Sequence, residues 1–265
     1  MKSLDHFTAE DRRRIKCVLT DIDDTLSTDG RLTAEAYGAM EALHDQGILV
    51  VAVTGRPAGW CDHIARMWPV DAVVGENGAF YFRYDPDQRK LVKRFLLPED
   101  ERVANRARLE SLRGEILDKV PGTALASDQL YREADLAIDF CEDVPPLPWP
   151  EVDRIVDLFT AAGATAKVSS IHVNGWFGTY DKLTMTRIMA AECFDLDLDR
   201  DKEHFVFVGD SPNDAPMFAF FPHAVGVANL RQFEDRLDAH PSYITHKPCG
   251  AGFAEIAQAL IAARI

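Results

Sequence analysis

Short apolar runs alternate with amphipathic segments along most of the chain. The first run, residues 17–19, is followed by Asp21, Asp23 and Asp24. An apolar run bounded by polar residues is typical of a strand buried on both faces. Further strands are predicted at 48–53, 72–74, 204–208 and 224–227, and helices at 33–46, 59–67, 182–191 and 250–261. This alternation predicts an α/β fold with a parallel sheet and right-handed crossovers.

The pattern of elements changes in the middle of the chain. Two strands are predicted at 79–84 and 91–97, joined by a turn-rich segment. A helix opens near Pro98, because proline and the acidic residues after it suit a first helical turn. The later elements are a strand at 136–141, a helix at 151–162 and an extended segment at 165–173. This mixed order predicts a small α+β domain, residues 82–175, inserted into a core domain made of residues 1–81 and 176–265.

Polar side chains follow four of the predicted strands. They are Asp21 with Asp23, Thr54, Glu76 with Asn77, and Asp210 with Asp214. The carboxyl ends of parallel strands lie along one edge of a sheet, where open α/β sheets place their ligands, so we expect these groups to converge. Lys182 lies in the first turn of a predicted helix, where the helix dipole disfavours a cation unless an anion is near. Such a local violation is typical of a functional site.

Four carboxylates at one sheet edge need a counter-ion. Each like-charge pair at about 4 Å costs about 4 kcal/mol at an effective dielectric constant near 20, which is more than Lys182 alone can offset. All the ligands on offer are oxygens, which favours a hard cation such as Mg²⁺ over zinc. A cation together with Lys182, the Thr54 hydroxyl and backbone N–H groups would suit a phosphoryl group.

Four segments resemble the motifs of the haloacid dehalogenase (HAD) superfamily. They are DIDDTL at Asp21, VTGR around Thr54, Lys182 after a long insertion, and GDSPND at Asp210, in the family's order. The insertion after the third strand, together with ENGA at Glu76, resembles subclass IIB, the Cof-type and sucrose-phosphate-phosphatase-like enzymes. This resemblance implies a Rossmann-like three-layer α/β/α core with a parallel sheet and an inserted α+β cap domain of the C2B type.

The resemblance also implies a role for each motif residue. Asp21 would be the nucleophile that forms an aspartyl-phosphate, and Asp23 would protonate the leaving alcohol and then deprotonate the hydrolytic water. The phosphoryl oxygens would be held by Thr54, Gly55, Lys182 and Asn213, the last touching either the phosphoryl group or Lys182. Mg²⁺ would be bound by the Asp21 carboxylate, the Asp23 carbonyl and Asp210, with Asp214 supporting the metal.

Several of these residues have purely structural alternatives. Asp214 could serve only to favour a helix N-terminus, and Asn77 could serve only to form a turn. Arg56 could be a structural ion-pair partner or a substrate ligand. His172 and Asn174, together with Arg56 and Asn77, are candidates to face the substrate, although Asn174 could equally belong to a hinge where the insertion returns to the core.

Composition restricts the expected partners and compartment. The formal net charge of −14 disfavours a nucleic-acid partner, which demands a basic surface. The longest apolar stretch, residues 48–53, is too short to span a bilayer, and the N-terminus is too charged for a signal peptide. The five cysteines are widely spaced and include no C-x-x-C pair, which indicates reduced thiols in a cytoplasmic protein.

The leading hypothesis is a Mg²⁺-dependent phosphatase that acts on a small phosphorylated metabolite, with a sugar phosphate as the preferred class. A phosphomutase of the same superfamily and a catalytically silent protein that binds a phosphometabolite are the alternatives. A protein-directed phosphatase fits less well, because a large cap should shield the site from bulky substrates. The identity of the substrate and the oligomeric state stay open at this level.

Overall fold

The strand that precedes the aspartate cluster is the centre of the main sheet. The computed structural model describes residues 1–264. Its strands are β1 (Lys2–Ser3), β2 (Cys17–Thr20), β3 (Ser27–Thr28), β4 (Arg31–Leu32), β5 (Leu49–Val53), β6 (Ala72–Gly75), β7 (Phe80–Asp85), β8 (Lys90–Phe95), β9 (Ala124–Leu125), β10 (Leu136–Asp139), β11 (Thr165–Val168), β12 (His172–Trp176), β13 (Phe205–Gly209), β14 (Ala224–Gly226) and β15 (Tyr243–Ile244). Its α-helices are α1 (Ala9–Arg14), α2 (Ala34–Asp45), α3 (Ala58–Met67), α4 (Glu99–Lys119), α5 (Trp149–Ala161), α6 (Lys182–Phe194), α7 (Leu198–Asp201), α8 (Ala215–Phe220) and α9 (Cys249–Ala262).

The main sheet has the strand order β1-β15-β14-β13-β2-β5-β6-β7-β8. Neighbouring strands from β1 to β6 in this order are parallel, whereas β7 and β8 are antiparallel to their neighbours. Cys17 of β2 pairs with Leu49 on one side and Phe205 on the other. The predicted α/β fold is therefore confirmed, and the loops after β2, β5 and β13 emerge at one sheet edge.

Helices cover both faces of this sheet. Successive residues of a strand point to opposite faces, and β2 shows the consequence. Val18 packs in one apolar cluster with Met40 and Leu43 of α2, which also takes in residues of α3 and α9. Leu19 packs in a second cluster with Met185 of α6 and with residues of α8. All these side chains are fully buried, so the core has three layers, as the resemblance implied.

A second sheet lies in the inserted part of the chain. It is antiparallel, with the strand order β11-β12-β10-β9, and α4 and α5 pack on it through a separate apolar cluster. A side chain at Gly175 of β12 would clash with the Phe159 ring of α5, so glycine is needed for this close approach. Within residues 1–264, no helix combines the length and the apolar character needed to cross a membrane, and α4, with 21 residues, is rich in charge.

Two features of the insertion differ from the sequence analysis. Residues 82–95, which were assigned to the insertion, form most of the β7–β8 hairpin and extend the core sheet beyond β6. Alternating apolar residues fit either sheet, so the pattern could not say which one the hairpin joins. The extended segment 165–173 is two antiparallel strands, β11 and the start of β12, because the chain reverses between Val168 and His172. The domain bounds at 82 and 175 stay a prediction.

Candidate active site

Lys182 and two of the predicted carboxylates meet at the carboxyl edge of the main sheet. Lys182, in the first turn of α6, donates from Nζ to Asp21 Oδ1 at 2.8 Å and to Asp214 Oδ1 at 2.7 Å. The Lys182 side chain is only 1% exposed, and α6 has Asp181 as its N-cap. The unfavourable position of this cation in its helix is thus balanced by two carboxylates from distant parts of the chain.

Asp21, Asp210 and Asp214 form a buried cluster of carboxylates. One ligand oxygen from each lies within 4.8 Å of the other two. Burial, together with the charges of Asp214 and Asp23, raises the pKa of Asp21 to about 7, although Lys182 opposes the shift. Burial and the neighbouring carboxylates also raise the pKa of Asp210. Negative charge is therefore in excess here, and the donor set is all oxygen, so the cluster fits a hard divalent cation.

The loop after β13 holds two of these carboxylates in place. Asp214 Oδ2 accepts backbone N–H groups from Asp210 at 3.0 Å and Ser211 at 3.3 Å. Ser211 and Asp214 form a capping box ahead of α8, so Asp214 does favour a helical turn as the structural alternative proposed. It also accepts a bond from Lys182, so the helix-capping and site roles coexist in one side chain. Asp210 Oδ1 accepts from the Thr25 hydroxyl at 3.2 Å.

Two residues in neighbouring loops, Thr54 and Asn77, keep hydrogen-bond donors that none of residues 1–264 uses. Thr54 is fully buried, and its Oγ1 accepts the Arg56 N–H at 3.0 Å, so its hydroxyl proton remains available. Asn77 adopts left-handed φ of 53°, which confirms that it forms the turn after β6. Its Oδ1 accepts from Asn213 Nδ2 at 3.2 Å, while its buried Nδ2 has no partner among residues 1–264. Within residues 1–264, no hydrogen bond joins Asn213 to Lys182.

Asp23 lies apart from the carboxylate cluster and is held by Arg56. Arg56 Nε donates to both carboxylate oxygens of Asp23, at 2.9 and 3.0 Å. Arg56 is therefore an ion-pair partner within the protein. The Asp23 carboxylate is outside the three-carboxylate cluster, and the predicted metal contact through its backbone carbonyl stays a prediction.

The inserted domain closes over this edge of the sheet. His172 and Asn174 of β12 are buried there, His172 with Nε2 2.8 Å from Glu142 Oε2 and Asn174 donating to Asp135 Oδ2 at 2.9 Å. A narrow pocket lies between the two parts of the chain and includes groups from both. It is lined by Asp21, Asp23, Gly55, Arg56, Arg132, Ser169, Ser170, Ile171, His172, Asn174 and Asn213.

Several charged residues at this boundary were not identified in the sequence analysis. They are Asp128, Arg132, Asp135 and Glu142. Arg132 donates to Asp128 and Asp135 and, from Nη1, to the Gly55 carbonyl at 2.9 Å. Partners such as Arg56 and Glu142 are 86 positions apart, so no local spacing indicated these contacts.

Two sequence comparisons find similar proteins. A family model described as haloacid dehalogenase-like hydrolase matches residues 18–104. A phosphoglycolate phosphatase of Haloarcula marismortui is 28% identical over 240 residues, which cover 90% of this chain and 94% of that protein.

Solved structures show the same architecture. A HAD/Cof-like hydrolase from Plasmodium vivax has a TM-score of 0.68 at 16% identity, covering 96% of this chain and 99% of that one. The sucrose-phosphatase of Synechocystis, solved with sucrose and phosphate, has a TM-score of 0.63 at 16% identity, covering 94% and 98%. At such identities the likeness concerns the fold.

Proposed function

We propose that this protein belongs to the haloacid dehalogenase-like hydrolases and is a Mg²⁺-dependent phosphatase that hydrolyses a small phosphorylated metabolite through an aspartyl-phosphate. The observation that carries the proposal is the placement of Asp21, which lines the pocket and bonds to Lys182 beside the two other carboxylates. A nucleophile, a fixed cation and a cation site thus meet at one point under the cap.

Asp21 is the group suited to attack phosphorus. Lys182 holds its Oδ1, whereas its Oδ2 has no hydrogen bond from residues 1–264 and remains free to form the new P–O bond. As that bond forms, the ester P–O bond breaks, and Asp23 gives the leaving alkoxide its proton. Asp23 then takes a proton from water, which attacks phosphorus, releases phosphate and restores the Asp21 carboxylate.

The transferring phosphoryl oxygens have donors among the buried groups. Two of the three ammonium hydrogens of Lys182 are used by Asp21 and Asp214, which leaves one for a phosphoryl oxygen. The Thr54 hydroxyl proton and Asn77 Nδ2 are further donors without protein partners in the described chain. Mg²⁺ held by Asp21, Asp210 and Asp214 would neutralise phosphoryl charge in this low-dielectric site.

A hydroxyl-rich leaving group, as in a sugar phosphate, fits the pocket better than an acidic one. The two arginines that line it are already engaged: Arg56 with three carboxylates and Arg132 with two. A substrate carboxylate, such as that of 2-phosphoglycolate, would have to displace one of these protein carboxylates. Ser169, Ser170 and the other neutral polar groups can instead exchange hydrogen bonds with hydroxyls.

Phosphate release from a substrate panel tests both the reaction and the substrate class. Hexose 6-phosphates, sucrose 6-phosphate, glycerol phosphates and 2-phosphoglycolate are compared with Mg²⁺ and with EDTA. We expect Mg²⁺-dependent release, with the best sugar phosphate favoured over 2-phosphoglycolate by at least about tenfold in kcat/KM. A preference for 2-phosphoglycolate would overturn the substrate class, and no release from any ester would overturn the phosphatase.

The alternatives give different results in the same panel. A phosphomutase yields an isomerised sugar phosphate without free phosphate, and a silent binding protein is stabilised by the metabolite without turnover. Phosphopeptides should be poor substrates, because the cap residues Ser170 and His172 lie over the pocket. We propose no nucleic-acid or membrane partner.

A further inference from the structure

One buried guanidinium connects the proposed general acid to the cap. Arg56 lies in the loop after β5, with a side chain 5% exposed. Its Nε donates to Asp23, and its Nη2 lies 2.8 Å from Asp23 Oδ1. The same Nη2 donates to Glu142 Oε1 at 2.7 Å, and Nη1 donates to Asp128 Oδ2 at 3.2 Å. Asp23 belongs to the core, whereas the other two carboxylates belong to separate loops of the cap. The flat face of the guanidinium lies 4.3 Å from the Trp60 ring centroid.

We infer that Arg56 is a positioning residue that couples closure of the cap to the orientation of Asp23. This inference rests on the proposed function, in which Asp23 carries the proton to the leaving alcohol. The guanidinium is planar and its donors form a rigid fork, so fixing two of its edges fixes the direction of the third. The cap carboxylates fix Nη1 and Nη2, and the edge formed by Nε and Nη2 then sets the side chain of Asp23.

The two cap carboxylates are themselves rigidly placed. Asp139, fully buried at the end of β10, accepts the backbone N–H groups of Cys141, Glu142 and Asp143 at 2.8–2.9 Å and so shapes the loop that presents Glu142. Burial opposes ionisation of Glu142, but His172 and Arg56 outweigh it and lower the pKa of this carboxyl to about 2.

Asp128 is held from the other side. Arg132 donates to both of its oxygens, at 3.0 and 3.1 Å, and reaches back to the Gly55 carbonyl, next to Arg56 in sequence. The cap thus touches the loop after β5 through Asp128, Arg132 and Glu142 together. Moving the cap away removes two of the three carboxylates around Arg56 and frees its side chain to rotate.

The consequence is a proton donor that is ordered only when the site is closed. With the cap open, Arg56 keeps Asp23 as its only carboxylate partner and both side chains gain rotamer freedom. With the cap closed, Asp23 is fixed inside a pocket from which bulk water is excluded. Leaving-group protonation is thereby confined to the closed complex, in which the bound substrate is sequestered.

The test uses the dependence of rate on the leaving group. An alkyl phosphate needs protonation of its alkoxide, whereas p-nitrophenyl phosphate releases a stable phenolate. Because kcat/KM reports the first phosphoryl transfer, it is compared for both substrates in wild type, Arg56→Lys and Asp23→Asn. We expect Arg56→Lys, which keeps the charge but loses the fork, to lower kcat/KM about tenfold or more for the alkyl phosphate and less than about threefold for p-nitrophenyl phosphate.

A cap variant tests the coupling itself. Glu142→Ala should show the same leaving-group signature in weaker form, and its effect should be less than additive with Arg56→Lys. Glu115→Ala removes a cap carboxylate that pairs with Lys119 on the exposed face of α4. It should leave kcat/KM unchanged for both substrates. The Glu142 side chain is 27% exposed, so replacing it should not prevent folding, and this variant gives the readout if Arg56→Lys does not fold.

The outcomes separate this inference from the proposed function. A wild type that releases phosphate from no ester of the panel refutes the phosphatase. The coupling alone is refuted if the wild type is active and only Asp23→Asn loses more kcat/KM for the alkyl phosphate than for p-nitrophenyl phosphate. In that case Arg56→Lys and Glu142→Ala show no such difference. Equal losses on both substrates would show that Arg56 acts merely on structure, and full additivity of Arg56→Lys with Glu142→Ala would show that the cap does not act through Arg56.

Discussion

At the scale of single residues, the site divides its carboxylates between two kinds of environment. Asp21, Asp210 and Asp214 share burial and mutual repulsion, relieved on one side by Lys182. Asp23, two positions after Asp21, bonds instead to Arg56. Because their surroundings differ, two neighbouring aspartates can take different chemical roles.

The nucleophile gives the most direct residue-scale prediction. Asp21→Asn should lower kcat by at least about 10³-fold, because an amide cannot form the phosphoryl ester. Mass spectrometry of rapidly quenched wild type should show one added phosphoryl group, absent from the variant. Asp29→Asn is the matched control, because Asp29 lies in an exposed turn with φ of 50°, which asparagine tolerates. Phosphorylated Asp21→Asn protein would contradict the assignment.

The carboxylate cluster predicts a pH dependence whose direction changes with the metal. The pKa of Asp21 is raised from 3.8 to about 7 without a cation. The folded protein then holds a proton that the unfolded chain has lost, so its free energy of unfolding should fall as pH rises from about 4 to about 7. Bound Mg²⁺ favours the ionised carboxylates, so its affinity should rise over the same range.

Urea unfolding between pH 5 and 8, in EDTA and in Mg²⁺, measures this effect. The stabilisation by Mg²⁺ should be greatest at the alkaline end. Asp210→Asn removes one repelling carboxylate and should flatten the slope measured in EDTA, while it weakens the Mg²⁺ effect. Identical slopes with and without Mg²⁺ in the wild type would show that the cluster is not the metal site.

At the scale of elements, the turn after β6 positions the start of α6. Glu76, Asn77 and Gly78 all have positive φ, an arrangement that is strained for the two residues with side chains. A side chain at Gly78 would clash with the carbonyl oxygen of Asp181, the N-cap of α6. The turn therefore lies directly against the helix end that carries Lys182.

Gly78→Ala should accordingly damage both stability and the site. The strained φ of 106° and the clash predict a loss of about 2 kcal/mol or more in the free energy of unfolding. Displacement of Lys182 should also lower kcat. Gly38→Ala, in the interior of α2 with open space around it, should instead stabilise the protein by about 0.5–1 kcal/mol. Urea unfolding and phosphate release measure both variants, and equal behaviour would refute the role of the turn.

At the scale of the whole molecule, a single buried carboxylate ties the core to the cap. Glu76 accepts the backbone N–H of Ala58 in the core at 2.9 Å. It also accepts the N–H groups of three consecutive cap residues, Glu133, Ala134 and Asp135. These bonds join the turn after β6 and the start of α3 to the cap.

Glu76→Ala should therefore loosen the cap. It leaves four N–H groups without a partner, three of them buried, and each unsatisfied buried group costs about 1–3 kcal/mol, so we expect a loss of more than about 3 kcal/mol unless water enters. Cleavage by a protease within residues 126–135 should also accelerate. Glu110→Ala, which removes an exposed carboxylate paired with Arg113, should change neither measurement. An unchanged cleavage rate in Glu76→Ala would show that Glu76 does not hold the cap to the core.

Local sequence patterns were enough to predict the core sheet and the edge where the candidate site lies. Apolar runs predict the buried strands, and the geometry of parallel sheets brings together the polar groups that follow those strands. Both inferences need only short stretches of sequence. Asp21, Thr54, Lys182 and Asp210 were found this way, because each lies at the end of an element. The tertiary structure alone decided which sheet takes β7 and β8, and which partners Arg56 has. The partners of Arg56 are 33 to 86 positions away, where no periodicity along the chain carries information. The alternation in β7 and β8 fits either sheet, so it could not choose between them.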